Sequence, residues 1–178
     1  MLPPDQTLVA LRSIASLAGR GAVRFVLGGS WARVARGSPE PPDAIELWSL
    51  SEPTEAIKAV MKSASGQDGA PAIEWRLCND TFSELRTAAI DEARLTGGWP
   101  IAVAPMSLLA AALMAERTQD AHELLLGLLV VGVVSADILN EDVRRYLGVY
   151  ALADLERIVA EAEWTAMRIK FKGGNNVH

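Results

Sequence analysis

The stretch that decides the fold is FVLGGSWA, residues 25–32. The segment from Val23 to Leu27 is apolar apart from Arg24 and has the length of a short buried strand, and Gly28-Gly29 ends it. Ser30 follows the glycines and belongs to the residue types that cap helices, so we expect a short helix from Ser30 to Gly37. This order places a close turn of the backbone at the end of a strand, where a ligand can approach.

Outward from this stretch, the pattern predicts a small sheet followed by helices. The further predicted strands run over 44–50, 72–78 and 99–104, and the predicted helices over 5–19, 53–65 and 82–94. Loops are predicted at the proline-rich segment 38–42 and at the turn 65–69. After Pro105 the pattern is helical to about Arg168, in four segments that break near Arg117, Ser135 and Gly148.

These elements define the fold class as α/β (α+β), with a small mixed sheet and a helical C-terminal half. We expect three parts: an α/β domain over 1–104, a helical subdomain packed on it over 105–172, and a flexible tail over 173–178. The late helix is amphipathic. Two roles stay open for it, namely covering the core and pairing with a partner helix.

Composition narrows the class of function. The 178 residues include 22 acidic and 17 basic ones, and no basic stripe of the kind that neutralises phosphates is present, so nucleic acid is not expected as a partner. Cys78 is the only cysteine, which indicates a reducing cytoplasm and neither an internal disulfide nor a cysteine-rich metal site. The most apolar window, 124–134, is too short to span a bilayer, and the N-terminus has no pattern of a secretory signal, so no membrane association is expected.

Three blocks of sequence, in order, carry a resemblance to a known superfamily. They are residues 25–32, the segment from Gly37-Ser38-Pro39 through Ile45-Glu46-Leu47, and residues 107–124. On these blocks the chain resembles the nucleotidyltransferase superfamily, in the bacterial branch that includes the abortive-infection and toxin–antitoxin nucleotidyltransferases. The resemblance covers residues 20 to about 130 and implies a sheet of the nucleotidyltransferase type.

The resemblance also implies a nucleotide site. Gly28-Gly29-Ser30 would bind the nucleotide, because glycines let the backbone approach a triphosphate closely. Asp120 matches a further position of the family's pattern and is the fourth candidate nucleotide-binding residue. In the family, carboxylates at i and i+2 of the second strand share one face and hold magnesium ions. Here the second of them is Glu46. Glu74, on the third predicted strand, is the best-placed further carboxylate, and both glutamates are candidate catalytic residues.

The departures from the family's pattern fall on the residues that carry its chemistry. The family's arginine falls on Glu40, its threonine on Pro42 and its first metal-binding aspartate on Ala44. Asp43 lies one position earlier, on the opposite face of a regular strand. It could therefore join Glu46 as a metal ligand only if a bulge turned it round.

A lysine of the family's third block falls on Ala112. Since Glu46 and Glu74 alone leave a magnesium site underdetermined, no cofactor is expected unless the chain is active, when it would use magnesium with a nucleoside triphosphate. Three functions stay open: a degenerate nucleotidyltransferase-like binding or scaffold module, an active toxin-type nucleotidyltransferase that modifies RNA or protein, and an antitoxin-like or complex-forming subunit. A protein partner and a homo-oligomer are both open alternatives.

Overall fold

A computed structural model describes residues 2–40, 42–65, 70–79 and 81–174 of the chain. The strands are β1 (Phe25–Gly28), β2 (Ile45–Ser49) and β3 (Ile73–Leu77). The helices are α1 (Asp5–Arg20), α2 (Gly29–Ala35), α3 (Glu55–Ser65), α4 (Ser83–Glu92), α5 (Met106–Glu116), α6 (Gln119–Val130), α7 (Ala136–Tyr146) and α8 (Val149–Gly174). Pro41 of the predicted loop, residues 66–69 of the predicted turn and residues 175–178 of the predicted tail lie outside the described residues.

The sheet is mixed, as the sequence predicts, with β2 as its central strand. β2 pairs antiparallel with β1 and parallel with β3. Side chains alternate along β2, because successive residues of a strand point to opposite faces. Ile45, Leu47 and Ser49 are fully buried on one face, whereas Glu46 and Trp48 belong to the other.

The predicted fourth strand, residues 99–104, is wrong as a strand. Within the described residues the sheet has three strands, and Val103 forms only isolated bridges, parallel to Leu27 and antiparallel to Arg94. The Trp99 amide donates instead to the Thr96 carbonyl in a turn, and Pro100 has no amide hydrogen for a ladder. Only a short stretch near Val103 therefore runs beside β1.

The predicted helix over Ser30 to Gly37 is present, but it begins one residue earlier, at Gly29, and its N-cap is Gly28. Ser30 therefore does not cap the helix. Its Oγ instead accepts a hydrogen bond from the backbone amide of Asp43 at 3.0 Å, which ties α2 to the start of β2. A residue of capping type serves here as a tertiary acceptor, which local sequence patterns cannot distinguish from a cap.

The predicted breaks between the later helices are confirmed. Arg117, between α5 and α6, has a positive φ of 53°, and Thr118 caps α6 by accepting from the Ala121 amide at 3.2 Å. Ser135 is the N-cap residue of α7, and Gly148 takes a positive φ of 84° between α7 and α8.

The chain divides into two compact units, Met1–Leu109 and Ala110–His178. In the first, α1 packs against α3, and both α2 and α4 pack against β1 and β2. In the second, α6 and α7 pack against α8. The predicted domain boundary after residue 104 stays a prediction.

Among the described residues, no helix combines the length and the apolar character needed to cross a bilayer.

Leu47 tests whether the central strand carries the stability of the first unit. Leu47→Ala empties a fully buried position, so we expect it to lower the free energy of unfolding by about 2–5 kcal/mol. Leu50, just beyond the strand, is 46% exposed, and Leu50→Ala should change this free energy by less than about 1 kcal/mol. Urea unfolding followed by circular dichroism measures both, and equal costs would contradict the assignment of the buried face.

Candidate functional site

The strand register brings three of the predicted site residues into one row. Gly28 of β1 pairs with Glu46 of β2, and Glu46 pairs with Glu74 of β3. Directly paired residues on neighbouring strands point to the same face of a sheet. The two glutamates that the sequence analysis names as candidate catalytic residues therefore lie side by side. Glu46 is the one next to the end of β1, where α2 begins.

The carboxylate of Glu46 is held by groups of the chain itself. Its Oε2 accepts a hydrogen bond from Trp48 Nε1 at 3.1 Å. The carboxyl group also lies against Gly29, where a Cβ would meet Glu46 Cδ at 2.8 Å. Gly29 has a φ of +60°, a conformation that side-chain-bearing residues rarely adopt. The glycine is thus required both by its backbone conformation and by the neighbouring carboxylate.

The Trp48 ring leaves no space for a side chain at residue 28. A Cβ on Gly28 would lie 2.3 Å from the indole, which is closer than two carbon atoms can pack. The ring is buried at 4% exposure, and the guanidinium carbon of Arg86 on α4 lies 5.5 Å from its centroid. The indole therefore occupies the space above Gly28 on this face of the sheet.

Glu74 is paired as well. Arg76, two residues along β3 and on the same face, donates from Nη2 to Glu74 Oε2 at 2.7 Å. Both side chains are exposed, so the pair contributes little to stability. Its effect on the site is electrostatic, because the guanidinium offsets part of the negative charge that Glu74 would offer to a cation.

Asp43 lies before the first residue of β2 and is exposed. Its backbone is fixed, since its amide donates to Ser30 Oγ and its carbonyl accepts from Trp31 Nε1 at 2.7 Å. The ladder from Ile45 to Ser49 is continuous and contains no bulge. The role of Asp43 as a metal ligand stays a prediction.

Glu40, at the position of the family's arginine, forms a buried ion pair. Arg33 Nε donates to Glu40 Oε1 at 2.9 Å, and the two side chains are 11% and 10% exposed. Burial raises the pKa of the Glu40 carboxyl above its ordinary value, while the charge and hydrogen bond of Arg33 and the hydroxyl of Ser38 oppose that rise. Sequence reasoning missed Arg33, because its partner lies within the proline-rich loop, where the pattern predicts no regular contacts.

A second arginine of this region was also missed. Arg36, at the end of α2, donates from Nη2 to the Val103 carbonyl at 2.7 Å and from Nε to the Ala104 carbonyl at 3.1 Å. Burial lowers the pKa of its guanidinium from the usual value. Arg36 therefore anchors α2 to the segment that runs beside β1, and its only signal in the sequence is a charged residue at the end of a short helix.

The remaining predicted position lies in the second unit. Asp120 is exposed in the first turn of α6, where a carboxylate is favoured by the helix dipole. In the same turn His122 Nε2 lies 3.5 Å from Glu161 Oε2 on α8. Ala112, at the family's lysine position, is half-buried in α5. The role of Asp120 in nucleotide binding stays a prediction.

The residues at the site do not make a good set of magnesium ligands. Across the described parts of the chain, no group of three or more His, Cys, Asp or Glu side chains is arranged to hold a metal ion. Glu46 is hydrogen-bonded to an indole, Glu74 is paired with a guanidinium, and Ala44 offers no oxygen from its side chain. Magnesium prefers several hard oxygen ligands in near-octahedral geometry, which this set does not supply.

The solved structures that are similar to this chain include two of the aminoglycoside nucleotidyltransferase ANT(2'')-Ia. The solution structure of this antibiotic-resistance factor has a TM-score of 0.40 and 15% identity, over 97% of this chain and 99% of that one. The crystal structure in complex with adenylyl-2''-tobramycin has a TM-score of 0.41 and 15% identity, over 79% of this chain and 98% of that one. A likeness of this strength concerns the fold and supports no inference about activity.

No family model matches the chain. No curated protein matches it either.

Gly28 provides a test of the packed site. We expect Gly28→Ala to lower the free energy of unfolding by about 1–3 kcal/mol, because the added methyl group overlaps the Trp48 ring. Its φ of −116° suits any residue, so the cost is steric alone. In a Trp48→Ala background the same change should cost much less, which a double-mutant cycle of urea unfolding measures. The matched control is Gly19→Ala in α1, where the added atom meets open space. A cost of Gly28→Ala that is equal in both backgrounds would refute the contact.

Glu40 makes the stability depend on pH. Because its folded pKa is raised above 4.5, its stabilising contribution is fully present below pH 4.5 and is lost as pH rises through the folded pKa. The free energy of unfolding of the wild type should therefore fall, relative to that of Glu40→Gln, as pH rises from 4.5 through the folded pKa. Denaturant titrations across this range measure the difference, and a difference that is constant or rises with pH would contradict the direction of the shift.

Proposed function

We propose that this chain is a nucleotidyltransferase-like protein without catalytic activity, which acts as a binding or scaffold module. The observation that carries the proposal is that the Glu46 carboxylate is already held by contacts within the chain. This residue stands at the second metal-ligand position of the family's pattern, and its carboxylate is bound by Trp48 and packed on Gly29. The first ligand position is Ala44, which has no oxygen to contribute.

The electrostatics of the site support the same conclusion. Phosphoryl transfer depends on cations that neutralise charge on the phosphate oxygens and on metal ions that bridge them. At the position where the family has an arginine, this chain has Glu40, an acidic residue that forms an ion pair with Arg33. The family's lysine falls on Ala112. Both of these positive charges are therefore missing at the matching positions.

The lack of free space beside Gly28 and Gly29 also supports the proposed lack of catalysis. In the family the glycines after the first strand allow the triphosphate to approach the backbone. In this chain the Trp48 indole packs against Gly28, and the Glu46 carboxylate packs against Gly29. A nucleotide at these glycines would have to displace a buried aromatic ring and would meet a negatively charged carboxylate, and both would weaken its binding.

An active metal-dependent nucleotidyltransferase is the second candidate, and one observation favours it. Glu46 and Glu74 are direct neighbours in the parallel register and share one face of the sheet. Carboxylates in this arrangement could hold one magnesium ion if Trp48 and Arg76 released them. Labelled nucleoside triphosphates incubated with cell extract would reveal transfer to RNA or protein, and Glu46→Ala should abolish the label if this candidate is correct.

A thermal-unfolding experiment separates the two candidates. A ligand at about 100 times its Kd stabilises a protein by roughly 2.7 kcal/mol, which raises the Tm of a chain of this size by roughly 5–10 °C. For the proposed function we expect no such rise with magnesium and each of the four nucleoside triphosphates, and no label in the transfer assay.

The matched control is Trp48→Ala, which removes the ring from above Gly28. If the indole is what fills the site, this variant should gain more from a triphosphate than the wild type does. A rise of several degrees for the wild type, lost in Glu46→Ala, would overturn the proposal and support the enzyme.

A further inference from the structure

One face of α8 has the repeat of a coiled coil, and its residues are exposed from Tyr150 to Phe171. Its positions alternate by steps of three and four residues, and all of them are exposed: Tyr150, Ala153, Arg157, Ala160, Trp164, Met167 and Phe171. We call this set the α8 seam. An apolar seam with this spacing over three heptads is typical of helices that pair with another helix.

The α8 seam lies opposite the face that covers the core of the second unit. Leu155, Ile158 and Ala162 are buried at 2–5% exposure, whereas Trp164 is 54% exposed and Phe171 is 77% exposed. Large aromatic side chains at this exposure are unfavourable in water, because each presents apolar area that burial would remove. Covering the core therefore accounts for one face of α8 and leaves the seam unexplained.

Charges flank the α8 seam in two blocks of opposite sign. The acidic block, between residues 154 and 163, contains Asp154, Glu156, Glu161 and Glu163. The basic block, in the last part, contains Arg168 and Lys170. A helix that is acidic at one end and basic at the other is complementary to a copy of itself in the opposite direction.

We propose that the α8 seam is a dimerisation surface, on which α8 of a second copy of this chain packs in antiparallel direction. In the register that the repeat allows, Trp164 packs against Ala160 of the second copy, and Phe171 packs against Ala153 of the second copy. Each large side chain then meets a small one, as close packing of two helices requires. This inference concerns the second unit and does not depend on the proposed lack of catalysis.

Arg157 decides the direction of the pairing. In a parallel pair, each seam position faces itself, so two Arg157 guanidinium groups would meet in the seam and repel. In the antiparallel register Arg157 faces Met167 of the second copy, and its aliphatic stem can pack there while its charge stays near Asp154, 3.9 Å away.

The flanking charges agree with this register. Glu156 lies beside Lys170 of the second copy, and Asp154 lies beside Arg168 of the second copy, so the two-fold axis generates each pair twice. Glu161 and Glu163 lie nearest the axis and face like charges, which opposes pairing. His122 Nε2 lies 3.5 Å from Glu161 Oε2 in the same unit.

Substitutions in the α8 seam test the surface itself. Sedimentation equilibrium of the full chain should show a monomer–dimer equilibrium, and Trp164→Asp or Phe171→Asp should raise its dissociation constant by at least about tenfold. The matched control is Ile169→Asp, because Ile169 is 59% exposed on the same helix but lies off the seam. Circular dichroism confirms that each variant is folded. An effect of Ile169→Asp equal to that of Phe171→Asp would overturn the proposal.

Charge reversal tests the antiparallel register. Glu156→Lys and Lys170→Glu should each weaken the dimer, because each brings like charges together twice. An equimolar mixture of the two variants should form a heterodimer in which both pairs are attractive again, and the double variant should recover the wild-type affinity. No recovery in the mixture would overturn this register.

Two further results would overturn the proposal as a whole. One is a monomer at every concentration, which would leave the seam without a second copy. The other is a monomer that binds vesicles containing anionic lipid and loses this binding on Phe171→Asp, since a basic, aromatic helix end can also lie on a membrane surface.

Discussion

Packing of the Trp48 indole against the backbone of Gly28 is the contact on which the geometry of the candidate site depends. The ring fits between β2 and the end of β1 only because residue 28 has no side chain. The same ring donates a hydrogen bond to Glu46 and so holds that carboxylate against Gly29. The two glycines, the indole and the carboxylate form one packed group, and a change in one of them alters the space available to the others.

Local pattern was sufficient to predict most of the fold and insufficient for the contacts of the site. The helices and their breaks near Arg117, Ser135 and Gly148 follow from apolar spacing and from residues that end helices, which are properties of short segments. The strand alternation predicted that Glu46 and Ala44 would share a face. The side-by-side position of Glu46 and Glu74 depends on the register between two strands, which pattern within one strand does not determine.

The predictions that went wrong involve competition between local and distant partners. Ser30 has the chemistry of a cap, but its hydroxyl accepts from Asp43 in the next strand, and the helix begins without it. The segment 99–104 is apolar like a strand, but a turn at Trp99 and the ring of Pro100 leave only a bridge at Val103. In each case the competing partner is remote in sequence, so the outcome depends on tertiary structure.

The length of the Glu46 side chain connects two departures from the family's pattern. A glutamate is one methylene longer than the aspartate of the pattern, and this length carries its carboxylate to Trp48 Nε1 and to the backbone of Gly29. Glu40 likewise has a partner, Arg33, for the charge that replaces an arginine. Since both glutamates are fixed by contacts that the pattern's residues would not make, an aspartate placed at Ala44 alone would still face a tethered carboxylate and an indole above Gly28. The proposed lack of catalysis therefore rests on the packed group as a whole, and not on Ala44 alone.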